Sequence, residues 1–216
     1  PSEVIRQRYV GELIGFRNTK IDLLVTPNHK MLVRERGASD YHLVEAYQAL
    51  NWPKTEMQKS GIWEGREAES FHLPLVENAK SPQVPVIPMD LWLEFLGYFL
   101  SEGSTYLQAK KRTIAGREYD TKAYIVLVSQ SKKQPEKRAR IKACLGRLGF
   151  KFFEENAQFR IQSKQLFKYL RRFGKSRDKF VPRELMGLPP RQLRILFDAL
   201  MLGDGSSKGN KYYSSS

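Results

Sequence analysis

The chain has 216 residues, a formal net charge of +14, 41% hydrophobic and 12% aromatic residues, enough apolar mass for a real core and too much for wholesale disorder. Its longest apolar runs, residues 96–100 and 199–202, fall far short of the roughly 18–20 residues a membrane span requires, and the polar N-terminus lacks the apolar stretch of a signal peptide. The single cysteine, Cys144, excludes an internal disulfide and a cysteine-based zinc cluster. The expectation is a soluble, cytoplasmic protein with no membrane partner.

The first part of the chain reads as β-rich. Residues 8–16 and 20–25 hold short apolar runs split by Arg17-Asn18-Thr19, and residues 31–34 follow the turn-like Thr26-Pro27-Asn28, a strand–turn–strand pattern. Residues 81–88 contain three prolines and should be extended and linker-like; a domain boundary is placed near Pro88. Asp90 can then cap a helix over residues 91–101, with Gly103 as its stop signal. Residues 105–112 and 123–130 read as two strands, Pro135 opens a helix that Gly149 ends, residues 150–154 and 158–162 form a second strand pair, and Ser163 caps a helix ending near Gly174. The order is αββαββα. Pro189-Pro190 precede a further apolar helix over residues 191–202.

Charge is concentrated in one block. Residues 132–179 hold 16 Lys/Arg against 4 Asp/Glu, a net of +12, whereas residues 1–90 hold 11 against 12. Such a block is the electrostatic footprint of a polyanion partner, and its interleaved aromatics argue for a folded segment.

The last helix repeats the first. Residues 95–104 (FLGYFLSEGS) align without gaps to residues 197–206 (FDALMLGDGS), an internal repeat that suggests a pseudo-twofold pair of units. Each helix ends on an acid, Glu102 or Asp204, followed by Gly-Ser. A helix C-terminus already carries unpaired carbonyls and about half a negative charge, so an acid there is unfavourable unless a cation compensates it. Both helices are apolar nearly all round and are expected to be buried. Packed side by side, with Gly97 and Ala199 in matching columns allowing close approach, they bring Glu102 and Asp204 together as ligands for Mg²⁺ and for metal-assisted phosphodiester hydrolysis.

Residues 95–103 and 197–205 resemble the paired dodecapeptide motifs of LAGLIDADG (DOD-type) homing endonucleases. The resemblance implies two αββαββα halves meeting along the motif helices, with saddle-shaped sheets on double-stranded DNA carrying a long recognition site. It implies a metal-binding catalytic pair, Glu102 and Asp204, with Mg²⁺ as cofactor and Mn²⁺ as its substitute. Lys179, in a K-x-x-P block at residues 179–182, is implied as a third catalytic group. Residues 15–33 (GFRNTKIDLLVTPNHKMLV) are similar to the T-x-x-H block of inteins, the Hint splicing fold, in which Thr26 and His29 would polarise the upstream splice junction. An intein's terminal nucleophile and closing His-Asn are not seen. The expected fold class is therefore α+β: a partial, β-rich Hint-like domain over residues 1–88, then a LAGLIDADG endonuclease domain over residues 89–216. Its first repeat covers 90–185 and its second, truncated, 186–216; if complete it would be a monomer with pseudo-twofold repeats.

Tyr106, Gln108, Lys110 and Arg112 share one strand face by the two-residue period, and Tyr124, Val126, Val128 and Gln130 alternate similarly. Gln108, Lys110, Arg112 and Gln130 are the candidate base readers. Lys132, Lys133, Lys137, Arg138 and Arg140 are candidate phosphate contacts. The expected function is Mg²⁺-dependent, site-specific double-strand cleavage by an intein-embedded enzyme with a host protein flanking it. The alternatives are a splicing module with an inactive endonuclease, or a LAGLIDADG-fold nucleic-acid binder that does not cut.

Overall fold

A computed structural model describes residues 6–52, 54–58, 61–114, 117–206 and 211–213. The chain is α+β and divides into two compact units, Pro1–Ile62 and Trp63–Ser216. Among the described residues, no helix is long and apolar enough to cross a membrane.

The first unit is β-rich, as its alternating short runs predict. Strands β1 (Ile14–Arg17) and β2 (Asp22–Val25) form an antiparallel hairpin. Its turn is fixed by Asn18, whose Oδ1 accepts from the backbone N–H groups of Lys20 and Ile21 at 2.8 and 3.0 Å, the local bonding that makes asparagine a turn residue. Strand β3 (Lys30–Glu35) lies between β4 (His42–Glu45) and β5 (Thr55–Met57), and the short helix α1 (Ala46–Leu50) follows β4. Val25, Met31, Val33, Ala46 and Ala49 form a small core of their own.

The division between Ile62 and Trp63 falls well before the boundary expected at Pro88. The proline-rich segment is extended, but it is tied to the second unit by side chains whose partners no periodicity reveals. Trp63 donates its indole N–H to Leu188 O at 2.9 Å. The Gln192 amide bonds both the N–H and the C=O of Ala68, and the Gln165 amide does the same for Val84. The paired strands β6 (Ser70–His72) and β7 (Val86–Pro88) carry Phe71, whose ring stacks on Trp92 at 4.0 Å. These two glutamines replace the neighbouring strand that this backbone lacks.

The second unit follows the expected αββαββα order: α2 (Met89–Glu102), β8 (Gly103–Ile114), β9 (Arg117–Ser129), α3 (Pro135–Arg147), β10 (Phe152–Glu154), β11 (Gln158–Gln162) and α4 (Lys164–Leu170). The four strands form one antiparallel sheet in the order β10-β11-β9-β8. Val126, Val128, Phe159 and Ile161 face the core shared with α2, α3 and α4. Ser163 caps α4 as expected, its Oγ accepting from Leu166 N. Asp90 does not cap α2. Pro88 occupies that position, and Asp90 in the first turn instead receives two hydrogen bonds from Arg191 at 2.5 and 3.0 Å. Arg191 holds the Asp90 carboxyl below its ordinary range, Gln192 assists, and Arg191 also binds Glu67.

Helix α5 (Pro190–Asp204) follows, with the short strands β12 (Gly205–Ser206) and β13 (Lys211–Tyr212) after it. The two motif helices are not buried alike. Ten residues of α2 are buried, against Gln192, Leu196 and Ala199 in α5. Only the face of α5 that meets α2 is covered, so apolarity all round the helix did not translate into burial all round it.

Candidate active site at the paired helix ends

Two columns of the repeat touch across the helix pair. A side chain at Gly97 would overlap the Ala199 methyl and stand 3.0 Å from Leu196 O; one at Gly203 would overlap Ser101 and stand 3.3 Å from Glu102 Cγ. Gly97 corresponds to Ala199, and Ser101 to Gly203, so equivalent positions meet each other, as two elements related by a near-twofold axis require. The next column is Glu102 and Asp204, the last residues of α2 and α5.

The two helices also end alike. Gly103 and Gly205 are extended (φ −91° and −85°) and their N–H groups bond Phe99 O and Met201 O. Neither has the left-handed backbone of a glycine stop signal. Glycine is required for space, because a Cβ at Gly103 would stand 2.5 Å from Phe99 O, and one at Gly205 would overlap Met201 O. The helix therefore runs straight into the strand, and the acid stands where helix becomes sheet.

Two acids and two lysines act on one another at this junction. Burial raises the Glu102 pKa, and the negative charge of Asp204 raises it further, while Lys137 and Lys179 oppose the shift. The phenol of Tyr212, also raised, feels burial first and Asp204 second. The half-buried Lys179 closes the site. Its ammonium donates to Phe99 O at 2.8 Å and Gly103 O at 2.6 Å, a cation at a helix C-terminus, where the macrodipole favours it. Burial lowers its pKa to about 8 against the opposing pull of Asp204 and Glu102.

Two carboxylates are a fitting but incomplete ligand set for a hard divalent cation. Among the described residues no group of three or more His, Cys, Asp or Glu gathers anywhere, and Lys179 already occupies two of the carbonyls at the α2 terminus. Mg²⁺ suits such a site because it is commonly held by one or two carboxylates and completed by water and phosphate.

The sheet turns its other face outward. By register, Tyr106, Ile125 and Gln162 align across β8, β9 and β11, as do Leu127 and Arg160 across β9 and β11. This face lines a concavity of about 610 Å³ with Gln108, Lys122 and Gln158. Gln108 thus lies on the outward face with Tyr106. Lys110 and Arg112 belong to β8, but their side chains lie outside the described residues.

Two expected DNA contacts are overturned. Gln130 is buried just beyond β9, because the alternation of that strand runs in the opposite phase and Tyr124, Val126 and Val128 face the core. Arg138 is buried as well. It donates to Gln130 O at 2.6 Å, Glu155 O at 2.5 Å and Glu154 at 3.0 Å, with its guanidinium over the Phe159 ring, so it clamps the end of the sheet. Lys132, bonded to Asn156, is exposed, as are Lys133 and Arg140. Lys137 is half-buried and acts on Glu102. Gln158, Arg160 and Gln162 share the outward face without having been expected there, although the polar–apolar alternation of QFRIQ in β11 carries the signal.

In the first unit, Thr26 and His29 stand in one turn, with His29 N bonded to Thr26 O at 3.0 Å. Thr26 is half-buried and His29 exposed.

No family model matches the chain. It is similar to an ATP-dependent Clp protease proteolytic subunit of Chlamydomonas moewusii, 29% identical over 94% of this chain and 21% of that protein. It is also similar to a DNA-directed RNA polymerase subunit beta C-terminal section of Stigeoclonium helveticum, 28% identical over 76% of this chain and 16% of that protein. The chain thus spans about a fifth or less of these curated relatives. Among solved structures it is similar to mesophilic variants of the homing endonuclease I-DmoI, with 14% identity, a TM-score of 0.34, and coverage of 56% of this chain and 64% of that one. A variant of I-DmoI in complex with its target DNA in the presence of Mg gives 17% identity, a TM-score of 0.35 and the same coverage.

Proposed function

We propose that this chain is a site-specific DNA endonuclease of the LAGLIDADG homing type, hydrolysing phosphodiester bonds with Mg²⁺, and that it is carried inside an intein. The observation that carries the nuclease reading is the meeting of two repeated acids at the ends of two helices packed through their own equivalent residues. Like charges gathered on two helix C-termini destabilise the empty protein, and a cation with a polyanion relieves that cost. Glu102 and Asp204 would hold the ion. When bound, a divalent cation supplies positive charge to the phosphate and acidity to water.

Lys179 spends two of its three N–H groups on Phe99 O and Gly103 O, leaving one to donate to a phosphate oxygen. The Gly97–Ala199 contact sets the separation of the carboxylates and keeps it from drifting. The outward sheet face presents Gln108, Gln158, Arg160 and Gln162 to base edges, with Lys110 and Arg112 continuing the β8 row. Lys132, Lys133 and Arg140 supply phosphate contacts.

The embedded reading is supported by the relatives. A protease subunit and a polymerase subunit have no machinery in common, yet they match this chain over 21% and 16% of their lengths. A segment shared by unrelated proteins is what an inserted element leaves. In that reading Thr26 and His29 face the upstream junction.

The test is Glu102→Gln and Asp204→Asn on a duplex made by joining the two flanks of the chain's own coding insertion. Each variant is expected to lose Mg²⁺-dependent cleavage by about 10²–10³-fold while binding the duplex as before. Undiminished cutting by both variants discards the site.

A further inference from the structure

A second feature stands beside the paired acids, and apart from Lys179 its residues play no part in the reading above. Strand β8 is the free edge of its sheet, and a cavity of about 510 Å³ lies along it, within the range of formed ligand sites. Its walls include Gly103, adjacent to Glu102, together with Lys179, Arg171, Lys175 and Ser176. Ser104 and Thr105 add hydroxyls, and among the described residues no acid lines it.

The cations of this cavity are held in place without being neutralised. Gly174 takes a left-handed backbone (φ +70°), which lets the chain turn sharply after α4. Asp178 then closes the loop: its Oδ2 accepts from Lys175 N at 3.2 Å and its N–H donates to Lys175 O at 2.9 Å. The carboxylate of Asp178 is thereby engaged by backbone, which fixes Lys175 and Ser176 over the cavity. Arg171 rests its guanidinium above the Phe167 ring at 5.8 Å. Among the described residues neither Arg171 nor Lys175 has a salt-bridge partner, whereas Arg172 next door is paired with Glu184.

We propose that this cavity seats one backbone phosphate of the DNA strand beside the paired carboxylates, with Lys175 and Arg171 as its positioning residues. The inference rests on the nuclease reading and deepens it. A phosphodiester fits the chemistry: one compact anion with several acceptor oxygens, met by two cations and neutral hydroxyls. Lys179 stands at the boundary, bonded to Gly103 O and so shared between this cavity and the acids. Anchoring a neighbouring phosphate fixes the register of the strand that is cut, an effect on orientation that can reach about 10²-fold in rate.

The experiment uses the full chain and the fluorescent duplex of joined flanks. Binding is titrated with salt in the absence of divalent cation, and single-turnover cleavage is followed in Mg²⁺. Each phosphate contact contributes about 0.9 to the slope of log affinity against log salt. Lys175→Ala and Arg171→Ala are each expected to lower the slope by up to about 0.9. The double variant should lose no more than about 0.9 in all, because both side chains serve one phosphate. The double variant should also cut about tenfold or more slowly at saturating DNA. Lys175→Arg and Arg171→Lys each retain a cation and keep the slope; should Arg171→Ala melt, Arg171→Gln removes the charge with less loss of packing and should lower the slope in the same way. A double variant with the parent slope and rate, in a parent protein that binds and cuts, overturns the phosphate seat and leaves the nuclease reading standing. A parent protein that neither binds nor cuts the duplex overturns both.

Discussion

Helices α2 and α5 carry nearly the same motif and live in different surroundings. Phe95 and Phe197 occupy one column of the repeat, yet Phe95 is 0% exposed and Phe197 is 45% exposed. The α2 terminus has Lys179 bonded to its last carbonyls; among the described residues no lysine bonds the α5 terminus. What the repeat specifies is the face the helices share and the acid at the end of it. What covers the other faces is decided by whichever elements stand around them.

That difference can be broken most forcefully in the matched phenylalanines. Phe95→Ala is expected to cost about 3–5 kcal/mol, the range for an aromatic removed from a closed core. Phe197→Ala should cost under about 1 kcal/mol, as exposed positions do; urea unfolding of both variants measures the gap, and equal losses would show the two faces to be equally covered. The shared face should respond next. Gly97→Leu places a side chain against Ala199 and is expected to destabilise by about 1–3 kcal/mol and to abolish cleavage by parting the acids.

Smaller effects separate the two termini. Lys179→Met strips two carbonyls of a charge-assisted partner, and the net loss should be about 1 kcal/mol at pH 7. Lys179 remains charged in the unfolded chain to about pH 10.4 but releases its proton near pH 8 in the fold. The unfolded state therefore holds the extra proton between those values, and Lys179 makes stability rise with pH there; melting curves of the variant should lack that rise. Glu102→Gln is the gentlest change. The raised pKa of Glu102 means that its charge costs stability at neutral pH and that this cost is relieved as pH falls through the folded value. The variant should melt a few degrees higher without divalent cation, a gain of up to about 1 kcal/mol; on the proposed reading Mg²⁺ should raise the melting temperature of the parent and not that of the variant.

The acids were legible because everything that places them is local: an apolar run, a small residue at the crossing, an acid and a glycine, written twice. The order of elements along the second unit was legible for the same reason, since β8, β9, α3 and α4 are each marked by alternation or by a stop. Residues 63–88 were not, because their attachment depends on Gln165 and Gln192, more than 80 positions away in sequence, and an amide side chain gives no periodic sign of its partner. Arg138 was misread because a charge in a basic block looks the same whether it meets phosphate or, as here, Glu154 and two backbone carbonyls. Gln130 failed by one step of the strand period, which moves every side chain to the opposite face.

The glutamine ties have a practical meaning for anyone who would transplant the second unit. A cut placed ahead of α2, where the prolines invite one, would discard Phe71 from the face of Trp92, both backbone partners of Gln165, and the Ala68 backbone that Gln192 bonds. The smallest piece that can be moved to a new host with its interior whole begins at Trp63.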